Sequence, residues 1–284
     1  MNQAPVSRRH FLHLGAGAVL ACASRARAIT SGPEPLTTAI TPSTGQQMPR
    51  IGLGTWQIFD VGNDSARRAQ LTEVLRVFVA GGGRFIDTSP MYGSSEAVIG
   101  DLLHANVMHD DVFLATKVWT RGREAGERQM EESLRLLRTS RVELMQVHNL
   151  VDWRTHLATL RRWKEEGRIA YVGITHYAAG ALDDLAHIVR RERIDFVQYA
   201  LSLDEPEAGG DFLRLCADRG VAFIANRPFG GGDAFARTRG TTLPSWASEL
   251  GIASWAQFLL KWVLAHPEEI GRAVQQECRD RSRM

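Results

Sequence analysis

The sequence predicts an α/β protein in which a parallel sheet, covered by helices, curls into a barrel. Three observations carry that expectation. Seven short apolar runs alternate with amphipathic stretches along the chain, the order that builds parallel strands joined by crossover helices. No G-x-G-x-x-G opens a helix after any of these runs, so an open dinucleotide-binding sheet lacks its phosphate-binding turn. Polar residues recur where the runs finish, and that end of a β/α barrel is where its chemistry is kept.

The strands are expected at 51–56, 85–87, 112–118, 144–148, 171–175, 196–200 and 221–226. Between them, apolar residues fall at spacings of three and four, as in Leu71, Val74, Leu75, Phe78 and Val79, or Met130, Leu134 and Leu137. Glycines at 81–83, 167 and 220 stand where helices end. No composition break divides residues 50–270, so one domain is expected. The 284 residues are 44% hydrophobic and 23% charged, a composition that excludes disordered, collagen-like and disulfide-scaffold chains. With 34 basic against 32 acidic residues there is no positive field to support nucleic-acid binding.

The first residues read differently from the rest. Ser7-Arg8-Arg9-His10-Phe11-Leu12 is followed by an acid-free stretch, apolar from Leu12 to Ala23 apart from His13, and then by Ala26-Arg27-Ala28. A basic start, a short apolar middle and an A-x-A end describe a secretory signal, and the arginine pair resembles the twin-arginine signal of bacteria. The expected organisation is therefore a twin-arginine-type signal peptide over 1–28, a lead segment over 29–48 and the barrel over 49–284. Removal of 1–28 leaves 30 basic and 32 acidic residues. The twin-arginine export machinery is an expected partner, and the periplasm or secretion the expected location. Val19-Leu20-Ala21-Cys22 loosely matches a lipoprotein cleavage site, which would place a lipid anchor on Cys22. Cys216 and Cys278 are the cysteines left in the mature chain. Their pairing stays open, and no C-x-x-C or zinc-type spacing points to a metal.

Four strand-end residues suggest a chemistry. Asp87 closes Phe85-Ile86-Asp87, Lys117 stands near the end of its run, His148 closes another, and Tyr92 follows Asp87 by five residues. In a barrel all four reach one mouth. A tyrosine is a weak acid, with a pKa near 10, but a neighbouring ammonium favours its phenolate. Asp87 would neutralise and hold Lys117, and His148 would hydrogen-bond a substrate oxygen or pass a proton. Such a set suits protonation of the alkoxide formed when hydride attacks a carbonyl, with the hydride supplied by a cofactor. Singly, each residue is more often structural; their joint placement argues for the site.

From about Met48 to Pro267 the chain resembles the aldo-keto reductases. Gly52-Leu53-Gly54-Thr55-Trp56 is similar to that family's first strand, and Asp87-Thr88-Ser89-Pro90-Met91-Tyr92-Gly93-Ser94-Ser95-Glu96 to its most specific signature. The resemblance implies a (β/α)8 TIM-type barrel, a catalytic tetrad of Asp87, Tyr92, Lys117 and His148, and NADPH-dependent reduction of a small aldehyde or ketone, with NADH not excluded. It also implies cofactor contacts. Thr175-His176 replaces the family's Ser-Asn pair at the nicotinamide carboxamide, Gln198 shares that task, and Asn226 stands where many members have an aromatic. Pro228, Phe229, Gly230 and Gly231 match the loop that approaches the pyrophosphate. Trp56 and Trp119 are expected walls of the substrate pocket.

The tail departs from the family. After Trp262-Val263-Leu264-Ala265-His266-Pro267 an eighth strand of Ala-Ile-Pro-Gly type should follow, but residues 268–284 hold no run of four apolar residues. The eighth strand and final helix are therefore expected to be missing or atypical, together with the family's adenosine-phosphate clamp. A shortened reading frame is the favoured account, over closure by an unusual tail or by a partner. The alternative function is a non-catalytic or inactive reductase-like binding protein. A metal-dependent hydrolase barrel lacks the clustered ligands it would need.

Overall fold

The computed structural model describes residues 36–266. The proposed signal over 1–28, Cys22, and the tail with Cys278 lie outside the described residues. An antiparallel hairpin comes first, β1 (Thr38–Ile40) paired with β2 (Gln47–Pro49). Seven parallel strands follow, each paired with the next in chain order: β3 (Leu53–Gly54), β4 (Phe85–Asp87), β5 (Phe113–Val118), β6 (Val142–His148), β7 (Ile169–Thr175), β8 (Phe196–Ala200) and β9 (Ala222–Asn226). The six crossovers carry α1 (Ser65–Ala80), α2 (Ser95–Ala105), α3 (Arg123–Leu136), α4 (Trp153–Glu165), α5 (Leu182–Arg191) and α6 (Asp211–Asp218). After β9 come α7 (Asp233–Thr238) and α8 (Trp255–Leu264).

All seven expected runs form strands. Among the described residues the sheet has no eighth strand, and β3 and β9 are its edges. Arg50, just before β3, donates to the carbonyl of Leu264 at the end of α8 (3.0 Å), which ties the first barrel strand to the last described helix. The hairpin was not expected: its strands occupy part of the lead segment, where few apolar residues mark them.

Local signals explain the helices. The Asp64 carboxylate accepts from the amides of Ala66 and Arg67 at the start of α1, and Ser254 Oγ accepts from Gln257 at the start of α8. Leu71 and Leu75 bury the inner stripe of α1, but Val74, expected on that stripe, stays exposed.

The strands are buried on both faces, as a sheet beneath helices requires. One apolar layer, including Ile86, Leu114, Met145 and Val147, belongs to the main core that the helices cover. A second fills the barrel interior, with Phe85, Phe113, Leu144, Tyr171 and Phe196, and Met48 of the hairpin joins it. Its rings pack closely, Phe85 on Phe113 at 5.1 Å and Tyr171 against Phe196 at 5.2 Å between centroids. Phe85, Phe113 and Phe196 are the first residues of their strands, so the amino-terminal end of the barrel is apolar. The hairpin closes that end, because the Tyr171 hydroxyl donates to Gln46 Oε1 (2.6 Å) and meets Thr44 Oγ1 (2.8 Å).

Tyr171→Phe deletes the hydroxyl that holds the hairpin. We expect it to lower stability by about 1–2 kcal/mol in urea unfolding; an unchanged midpoint would show that the hairpin is held by Met48 packing alone.

Candidate active site

The carboxyl ends of the same strands are polar. Register sets the arrangement: Asp87 pairs with Ala115, Lys117 with Gln146, His148 with Thr175, and Thr175 with Gln198. Thr55 Oγ1 donates to the Asp87 carbonyl (3.0 Å), which fastens the end of β4 to the loop after β3.

Lys117 is the centre of the cluster, with 1% of its side chain exposed. Its ammonium donates to Asp87 Oδ2 and to the Thr88 carbonyl, both at 2.7 Å. The Tyr92 hydroxyl is its third hydrogen-bond partner, and the ring centroid lies 4.9 Å away. Burial pushes the lysine pKa down, but Asp87 and Tyr92 outweigh it and hold the ammonium above its usual value. Asp87 Oδ1 accepts from Gln146 Nε2 at 3.2 Å. On the same strand as Lys117, Thr116 donates to Glu96, which also accepts from Ser133 (3.1 Å); burial raises that carboxyl's pKa.

His148 is buried beside this pair, its ring 5.9 Å edge-on to Tyr92 and 6.3 Å from Trp119. Burial first, then the Lys117 charge and His176, push its pKa from 6.5 down to about 2. The imidazole is therefore neutral throughout the physiological range. Nδ1 lies 3.0 Å from Ser89 Oγ.

Tyr92 and His148 open onto a cavity of about 310 Å³, of a size that holds a small ligand. Trp56, Thr175, Gln198, Asn226 and Gly231 line it with them, as do Met91, Asn149, Tyr177 and Arg227. Asp87 and Lys117 stand behind Tyr92. Three buried polar atoms of the lining have no hydrogen-bond partner: Gln198 Nε2, Asn226 Oδ1 and Asn149 Oδ1.

Other expected contacts lie elsewhere. His176 is absent from the lining: its Nδ1 accepts from the Ala178 amide (3.1 Å), while its carbonyl is near Asn226 Nδ2 (3.4 Å). Phe229 packs with Ala234 and Leu259 in a small core, and Pro228 is buried next to it. Gly230 borders Asp204 rather than the cavity. Trp119 is 42% exposed, outside the lining but close to His148.

Gln146, Ser89 and Arg227 were not singled out from sequence. Strand alternation could have found Gln146, which lies two residues before His148 on the same face. Ser89 lies two residues beyond Asp87. Arg227 takes the left-handed conformation (φ 53°) and its guanidinium lies against Gly231, where a Cβ would come within 3.1 Å of Nη2. No sequence signal marks that turn.

Known proteins resemble the chain over most of its length. The model of the aldo/keto reductase family matches residues 50–277. An oxidoreductase of Bacillus subtilis, YtbE, is 27% identical over 240 residues, covering 80% of this chain and 79% of its own. A methylglyoxal reductase of Escherichia coli, YeaE, is 26% identical over 228 residues, covering 77% and 78%. The solved structure of a Klebsiella pneumoniae aldo-keto reductase in complex with NADPH shares the fold, with a TM-score of 0.72, 24% identity and coverage of 86% and 85%.

The depressed pKa of His148 has a pH consequence. Below about pH 6.5 the unfolded chain binds a proton on this histidine, while the folded chain binds it only near pH 2. Its contribution is therefore intact above pH 6.5 and lost as pH falls toward 2. His148→Gln should lessen the loss of stability between pH 6.5 and 4.5 by roughly 2 kcal/mol, read from urea unfolding at both values; parallel losses in the two proteins would contradict it.

Proposed function

The chain belongs to the aldo/keto reductase family, and from that premise we propose that it reduces the carbonyl of a small aldehyde or ketone, with NADPH as cofactor and Tyr92 as general acid. One observation carries the reading. Lys117 has three hydrogens to give, and Asp87, Thr88 and Tyr92 take them. Tyr92 thus stands between a buried ammonium, which favours its phenolate, and the cavity that it lines.

The proton step follows from electrostatics. As Tyr92 gives up its hydrogen, negative charge grows on an oxygen already bonded to a buried ammonium, and Asp87 keeps that ammonium charged. Neutral His148 has a ring nitrogen left to hydrogen-bond the substrate oxygen. Trp56 and Met91 line the cavity around it. Bound nicotinamide would supply the hydride to the carbonyl carbon, while the proton reaches the oxygen, so the product is an alcohol.

The residues present suit a nicotinamide. Gln198 Nε2 and Asn226 Oδ1, buried without partners in the cavity wall, offer the donor and acceptor that a carboxamide needs. Thr175 adds a hydroxyl in the same wall. Gly231 and Arg227 present backbone and a cation beside it, chemistry that suits a phosphate. NADPH is the cofactor named for the Klebsiella neighbour. A reductase-like binding protein without turnover is not favoured, because Asp87, Tyr92, Lys117 and His148 are brought together at the cavity.

Tyr92→Phe removes the acid but keeps the ring. It should abolish NADPH-dependent reduction of methylglyoxal, a probe chosen from the E. coli relative, while NADPH binding, followed by tryptophan fluorescence, changes little. Undiminished turnover would refute the assignment.

Residues 1–28 support a further part of the reading, export by the twin-arginine route with cofactor already bound. Replacing Arg8 and Arg9 together by lysine should retain the protein in the cytoplasm of a bacterial host. Equal amounts in the periplasm with and without the change would refute that route.

A further inference from the structure

We propose that Ser89 is a positioning residue: its hydroxyl donates to His148 Nδ1 and so selects the tautomer that presents Nε2–H to the cavity. The inference deepens the reading above, in which His148 bonds the substrate oxygen, and rests on it for its catalytic meaning.

The argument is one of hydrogen counting. A serine hydroxyl has one hydrogen to give and two lone pairs. Among the described residues Ser89 Oγ has two partners, the Met91 amide at 3.4 Å and His148 Nδ1 at 3.0 Å. The amide can only donate. Pro90 between them has no N–H, and the Tyr92 amide is already given to the Ser89 carbonyl (3.0 Å). The amide therefore occupies a lone pair of Oγ, and the single acceptor left for the hydroxyl hydrogen is Nδ1.

The opposite tautomer fares worse. With hydrogen on Nδ1, Ser89 Oγ would accept from both neighbours, and its own hydrogen would lie buried without an acceptor. Ser89 is fully buried, so that hydrogen could not turn to solvent, and such a loss costs more than an ordinary hydrogen bond returns. Nothing else around the ring reverses the choice. His148 faces the Lys117 cation, the Tyr92 edge, Trp119 and His176. A carboxylate at the Ser89 position would demand Nδ1–H, whereas a hydroxyl allows the reverse. Because the ring is neutral, one nitrogen carries hydrogen, and with Nδ1 accepting it is Nε2. That N–H is complementary to a carbonyl oxygen and to the alkoxide that develops on it. The other tautomer would oppose a lone pair to both.

The test reads the tautomer directly. Long-range 15N–1H spectra of the full chain carrying 15N-histidine, assigned with His148→Gln, should show His148 with Nδ1 unprotonated and Nε2 protonated. Ser89→Ala should shift this pattern toward Nδ1–H and lower kcat/KM for methylglyoxal about tenfold, with NADPH affinity unchanged. Ser89→Thr, which keeps the hydroxyl, should restore the wild-type spectrum. Hydrogen on Nδ1 in the wild type, or the same pattern in Ser89→Ala, would overturn the proposal. Should Ser89→Ala not fold, the wild-type and Ser89→Thr spectra still decide. A chain that shows the expected tautomer and its dependence on Ser89 but reduces no carbonyl would refute the reductase reading alone.

Discussion

The buried ion pair of Lys117 and Asp87 is the constraint around which the site is built. An ammonium taken wholly out of water is costly, and its attraction to a carboxylate offsets that cost only when geometry and further hydrogen bonds are both good. Here both conditions hold. Asp87 uses its two oxygens on Lys117 and Gln146, and the ammonium meets three acceptors. Each partner stands on a different strand, so the pair exists only in one register. A slip of β5 by one residue would turn Lys117 toward the helices and leave Asp87 facing the interior alone. The charge also acts outward: together with burial it keeps His148 uncharged, so the histidine can serve as a neutral hydrogen-bond partner.

The barrel divides its labour along its axis. Three strands begin in Phe85, Phe113 and Phe196, and four end in Asp87, His148, Thr175 and Asn226. The aromatic layer can therefore be packed tightly without reference to chemistry, and the polar rim can be arranged on that packed base. Main-chain pairing between neighbouring strands carries the precision from one end to the other. The carboxyl end also holds the unpartnered atoms of Asn149, Gln198 and Asn226, where a bound group can meet them.

Most of the fold could be read from the chain because apolar runs bounded by glycine or by charges are a local signal. So could the gathering of Asp87, Tyr92, Lys117 and His148 at one end of the sheet, since each ends a run or closely follows one. What escaped was set by contacts far apart in sequence. The hairpin has few apolar residues and depends on a tyrosine 125 residues away. The turn of the His176 ring onto the Ala178 amide and the packing of Phe229 with Ala234 and Leu259 are likewise set by the fold and not marked in the sequence. Val74 fits a helical stripe, but its position on α1 leaves it uncovered among the described residues. Arg227 reaches the cavity through a left-handed turn that no residue type announces. Local pattern speaks for elements; it is silent about where a side chain turns.

The hairpin has a consequence for how the molecule comes into being. Its two strands pair with each other across a few residues, but the surface on which they dock is assembled from Phe85, Phe113, Tyr171 and Phe196. On a ribosome, those residues are synthesised long after residues 38–49. Closing a chain segment of this length is entropically slow compared with forming a hairpin or a helix. The first described part of the protein to be made is thus among the last to find its place, and until then the aromatic interior stands open at its base. Until the hairpin docks, the nascent barrel is a vessel without a floor.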